Sequence, residues 1–170
     1  MVPIPQLAYG ADGQVFFEMM FSPSYELVSV VRRFAGVLCE QVLVDCELAS
    51  RVALATHELL ENAVKYSVDG KTTIRVDVDL KAARPSVTVR TRNRVTREQA
   101  AVLLTKIDEI AAAPDPVGMF QMLMRRTAKS TQRGGLGLGR IAAEADMHLS
   151  CALAGDVIEV TAVATPEDAR

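Results

Sequence analysis

The run Ala55 to Ser67, ATHELLENAVKYS, sets a carboxylate, a carboxamide and an ammonium at intervals of three and four residues. Read as the second half of a helix that begins near Asp45, it stacks Arg51, Glu58, Asn62 and Lys65 on one narrow stripe, because side chains three, four and seven positions apart share a helical face. Val52, Leu59, Leu60, Ala63 and Val64 fall on the opposite arc, so one side of the helix is core and the adjoining edge can meet a ligand. A magnesium-bound phosphate suits that edge. The amide oxygen of Asn62 is a ligand for a hard cation, Glu58 can hold or deprotonate a water or hydroxyl, and Lys65 can meet a phosphate. Taken alone, the same residues also describe a solvated helix face with a chance E-x-x-x-N.

A second stretch, Gly134 to Asp146 (GGLGLGRIAAEAD), runs glycines 134, 135, 137 and 139 directly into an alanine-rich helical pattern. Backbone N–H groups at the positive end of a helix dipole favour phosphate. A tight loop packed on the core, with glycine used for close backbone approach, accounts for the same residues. No strand pattern precedes the glycines as a dinucleotide fold requires, and the G-K-[ST] of a Walker loop is missing.

These two stretches need a scaffold. A chain of 170 residues is one domain by length and can bury a substantial core. Its 49% hydrophobic and 24% charged residues are those of a globular protein, and a net charge of −2 implies no general attraction to nucleic acid or an acidic membrane. Cys39, Cys46 and Cys151 are an odd set without C-x-x-C spacing, which fits reduced thiols in the cytoplasm. No apolar run reaches membrane-spanning length, and MVPIPQLAYG lacks the charged start of a signal peptide. The expectation is a soluble cytoplasmic domain over residues 1–170, flexible at 1–13 and 165–170. His57 and His148 are isolated and read as structural or solvent-facing.

Gln14 to Phe21 reads as a first, edge strand, and Ser24 caps a helix to about Gln41 with Leu27, Val30, Val31, Phe34, Val37 and Leu38 on one face. After the Ser67 to Gly70 turn, Thr73 to Leu80 alternates without a fault, with Ile74, Val76, Val78 and Leu80 inward. Ser86 to Thr91 continues the pattern and completes an antiparallel hairpin. Thr96 to Gln99 resembles a capping box for a further helix, which Pro114-Asp115-Pro116 ends. Val117 to Thr127 is a methionine-rich apolar segment beside Arg125, Arg126, Lys129 and Arg133, read as a lid or docking surface. The chain closes with strands at His148 to Leu153 and Val157 to Val163. One polar face per strand calls for an α/β (α+β) two-layer sandwich: a mixed, mostly antiparallel sheet covered by helices on one side.

HELLENAVKYS, an antiparallel hairpin, a variable segment and GGLGLGRIAAEAD, in that order, resemble the ATP-binding (Bergerat) fold shared by gyrase, MutL and histidine kinases, the GHKL superfamily. Closer still is the resemblance to the small anti-sigma-factor serine kinases of bacterial partner-switching pathways, the SiaB-type branch among them. The resemblance implies ATP and magnesium as ligands, a small phosphorylatable regulator protein as partner, and a homodimer. It makes Glu58 the catalytic base, Asn62 the magnesium ligand and Lys65 a phosphate-side cation, with Gly135, Gly137 and Gly139 in the phosphate-cradling loop. Thr91, Asn93, Arg133, Gly134 and Leu138 complete the implied nucleotide set. In that family the strand equivalent to Ser86 to Thr91 runs into D-x-G-x-G, which receives adenine; here the run is Thr91-Arg92-Asn93-Arg94-Val95, with threonine at the aspartate position, neither glycine, and two arginines expected at the pocket mouth. Two function classes remain: a magnesium-ATP-dependent Ser/Thr kinase, or a non-catalytic pseudokinase that sequesters a protein partner.

Overall fold

A computed structural model describes residues 14–43, 45–81, 85–128 and 135–164, together with the backbone of 6–9. The elements are β1 (Gln6–Tyr9), β2 (Gln14–Phe21), α1 (Tyr25–Leu43), α2 (Cys46–Tyr66), β3 (Thr72–Asp79), β4 (Ser86–Arg94), α3 (Arg97–Ala111), α4 (Pro116–Ala128), α5 (Leu136–Ala143), β5 (His148–Ala154) and β6 (Val157–Ala164). The strands form a six-stranded sheet in the order β1-β2-β3-β4-β6-β5. Helices cover one face, giving the two-layer α/β sandwich.

Local chemistry sets the main boundaries. Asp45 is the N-cap of α2, its carboxylate accepting from the N–H groups of Glu47 (3.0 Å) and Leu48 (2.9 Å). Thr96 and Gln99 form a reciprocal capping box at the start of α3. Gly70, at φ 63, provides the left-handed turn between α2 and β3.

Alternation along the strands sorts their side chains. Val15, Phe17, Ile74, Val76, Val78, Val87, Val89, Ile158 and Ala162 are buried beneath the helices. Phe34 of α1 meets Phe17 edge-on at 5.0 Å, and Gly36 lets α1 approach Ala53 of α2. On the open face the register sets Arg75 directly opposite Arg90, a like-charge pair that would repel. Asp77 resolves it by accepting from Arg75 Nη2 through Oδ1 and from Arg90 Nη2 through Oδ2, each at 2.7 Å. Arg75 also reaches Glu18, and Arg92 pairs with Glu159.

Several sequence expectations need correction. Strand β1 lies within the stretch expected to be flexible and pairs with β2, so β2 is not an edge. Every strand pairing among the described residues is antiparallel; the sheet is not mixed. Leu80 lies past the end of β3 and is exposed. The last strand pair and the Val117 segment, now helix α4, form where expected. Among the described residues no helix is long and apolar enough to cross a membrane. Burial raises the Cys39 thiol to about 12, which leaves it inert at neutral pH.

Adjacent residues of β2 test the assignment of faces. Phe17→Ala should cost about 3–5 kcal/mol in urea denaturation. Phe16→Ala, on the open face under the Arg75 guanidinium at 4.0 Å, should cost about 1 kcal/mol. Equal costs would contradict the packing described.

Candidate nucleotide site

The Arg51 to Glu58 part of the α2 stripe does not face open solvent, because α5 and the turn after it lie against it. Arg51 donates through Nε to the carbonyl of Ala145 (2.5 Å) and through Nη2 to the carbonyl of Asp146, whose carboxylate it also meets at 3.2 Å. Two turns further on, Glu58 Oε1 accepts from Arg140 Nη1 at 2.6 Å. These clips attach α5 at its middle and just past its C-terminus, and Glu58 is left 5% exposed.

The glycines make that approach feasible. A Cβ built at Gly137 would fall inside 3.0 Å of Glu58 Oε2, closer than real Cβ atoms stand to a neighbour. One at Gly139 would press on Leu123 and Phe120 of α4, each at 3.0 Å. Gly137 thus admits α2, and Gly139 admits α4. Gly135 is the N-cap of α5 at φ 94, a left-handed conformation suited to glycine.

Both glycines at 137 and 139 therefore sit inside a helix, not in a loop before it. The Gly139 N–H is committed to the Gly135 carbonyl at 3.1 Å. The first-turn donors that have no carbonyl partner within the helix belong to Gly135, Leu136, Gly137 and Leu138. The Leu138 side chain itself is core. Lys106 of α3, which the sequence did not mark, brings its Nζ to 3.9 Å from the point a Gly135 Cβ would occupy, adding a cation at the α5 N-terminus. Arg133 and Gly134 lie outside the described residues.

Asn62 is one turn beyond Glu58 on the same stripe. Its Nδ2 is buried without a hydrogen-bond partner among the described residues. A carboxamide whose nitrogen lacks a partner, one turn from a carboxylate, fits an oxygen-seeking cation once the amide is turned. Among the described residues no group of three or more His, Cys, Asp or Glu side chains could hold a metal. Magnesium does not need one, since it is commonly held by one or two protein oxygens together with water and phosphate. Lys65, in the last turn of α2, is exposed, with Nζ 5.4 Å from the Tyr66 ring centre.

Thr91 and Asn93 belong to β4, which extends three residues past the expected end to Arg94. Both are buried on the helix-covered face, Thr91 between Ile74 and Val160, Asn93 between Thr72 and Ile158. The Val68 N–H donates to the Arg94 carbonyl at 3.0 Å, holding the end of α2 near the end of β4. Alternation turns Arg92 and Arg94 the other way, onto Glu159 and Asp156, so the arginines do not crowd the pocket as expected.

Burial pushes the Glu58 carboxyl above its ordinary value; Arg140 and His57 oppose that shift, and Glu61 adds to it. Its ion-pair neighbour Arg140 was missed by sequence reading because its partner is 82 residues away.

An antiparallel sheet covered on one side, with an E-x-x-x-N helix facing the first turn of a glycine-rich helix, defines a histidine kinase-like ATPase domain. The family model of that description matches residues 21–161, and the chain belongs to this family. Among solved structures, a chain in the crystal structure of the SiaB–SiaC complex from Pseudomonas aeruginosa shares the fold, with a TM-score of 0.66 and 16% identity over 86% of this chain and 89% of that one. No functionally curated protein matches the sequence.

In an exposed helix, glycine to alanine gains about 1 kcal/mol. At Gly137 the added methyl must displace Glu58, so Gly137→Ala is expected to lose about 1–3 kcal/mol instead. Unchanged or higher stability in urea denaturation would contradict the close contact.

Proposed function

We propose that the protein binds magnesium-ATP and phosphorylates a serine or threonine of a small regulator protein in a cytoplasmic bacterial partner-switching pathway. The observation that carries this reading is the placement of Glu58 against Gly137 in the first turn of α5, with the unpartnered Asn62 nitrogen one turn along α2. Family membership supports nucleotide binding. The similar fold found in the SiaB–SiaC complex supports a protein partner.

In this reading Asn62 holds the metal through its amide oxygen, and the bound magnesium offsets phosphate charge. Glu58 orients the partner hydroxyl and takes its proton. Lys65, Lys106 and the first-turn N–H groups of α5 bind phosphate oxygens. Such catalysis is mainly placement and charge stabilisation. Thr91 and Asn93 supply neutral hydrogen-bonding groups toward the base. A second reading, a pseudokinase that sequesters its partner, draws on the uncharged Thr91 where the related kinases carry aspartate.

Calorimetric titration with ATP, with and without magnesium, tests the proposal, followed by phosphate transfer to the partner. Asn62→Ala should weaken the magnesium-dependent part of binding roughly tenfold, about 1.4 kcal/mol. Glu58→Ala should spare binding and abolish transfer. No saturable binding up to millimolar ATP in folded protein, or equal affinity with and without magnesium, would overturn it. Binding without transfer to any partner would select the second reading.

A further inference from the structure

Glu58 can act as a base only as a carboxylate, yet it is almost completely buried, and burial favours the protonated form. The described groups that act on it are few. Arg140 faces it from α5, and His57 and Glu61 flank it on α2, where His57 Nε2 lies 3.2 Å from Glu61 Oε1. The strands beneath present apolar side chains with Thr91 and Asn93, since Arg92, Arg94 and Glu159 turn to the open face. From α3, Lys106 lies at the far end of α5 beside Gly135. Arg140 is thus the cation in direct contact.

That guanidinium is itself held. Glu144, one turn along α5, accepts from Arg140 Nε and Nη2, each at 3.0 Å, which leaves Nη1 aimed at Glu58 Oε1. The Arg51 clip just past the C-terminus of α5 and the missing Cβ of Gly137 fix the helix at the required distance.

We propose that Arg140 is the positioning residue for Glu58, braced by Glu144: it holds the carboxylate in one orientation and sets a positive charge against it. The proposal rests on the reading of Glu58 as the base, but its contact and charge can be tested without nucleotide.

The test is a pH titration of the Glu58 carboxyl carbon by NMR in the nucleotide-free protein. Arg140→Gln removes the charge and leaves a shorter polar side chain, and it should move the Glu58 midpoint up by about one pH unit or more. Arg140→Lys should restore most of the original midpoint. In a transfer assay the rising limb of the pH profile should move up by a similar amount in Arg140→Gln, with ATP affinity unchanged. An unmoved Glu58 midpoint in folded Arg140→Gln, or an equally large rise in Arg140→Lys, would overturn the proposal. Those outcomes are independent of ATP binding, so failure of the kinase reading would show separately in the calorimetry.

Discussion

The site depends on one constraint: α5 must lie against the polar stripe of α2. A charged stripe between two packed helices is unfavourable unless its groups find partners, because a carboxylate removed from water without compensation loses far more than a hydrogen bond returns. Here Arg51 and Glu58 each meet a partner supplied by α5 or the turn after it. Asn62 is the member of the stripe whose buried nitrogen lacks one.

The same constraint explains α4. None of its side chains is fully buried, and Val117, Met122 and Met124 are well exposed. It rests chiefly on α5, where Phe120 and Leu123 reach Gly139. Few buried apolar contacts mean low local stability, so α4 is a segment that can shift while the sheet stays intact. Meanwhile the open face of the sheet is cross-linked by Asp77, Glu18 and Glu159 to arginines, which gives the strands a rigid polar surface.

Much of this was legible in the sequence where the signal was local. The stripe and core arc of α2, its Asp45 cap, the capping box at Thr96 and the fault-free alternation of β3 all follow from spacing within one or two turns or one strand. What depended on distant contacts was not. The pairing of β1 with β2 needs a partner that a four-residue run cannot announce. The strand was expected to end at Thr91 with Arg92 and Arg94 at the pocket mouth, although period-two alternation hides Thr91 and Asn93 and turns both arginines outward. Glycines 137 and 139 suggested exposed amides, but their small size serves helix contact, a property visible only once Glu58, Phe120 and Leu123 are in place. Arg140 was not singled out for the same reason.

The central claim is that the α2 stripe, the end of β4 and the first turn of α5 form one nucleotide site. Amide NMR spectra recorded during a magnesium-ATP titration test it most directly. The account predicts saturable shifts centred on Glu58, Asn62, Lys65, Thr91, Asn93 and Gly135 to Leu138, with the open-face strand positions Arg75 and Arg90 nearly unchanged. Shifts confined to other surfaces, or none up to millimolar concentration, would contradict it.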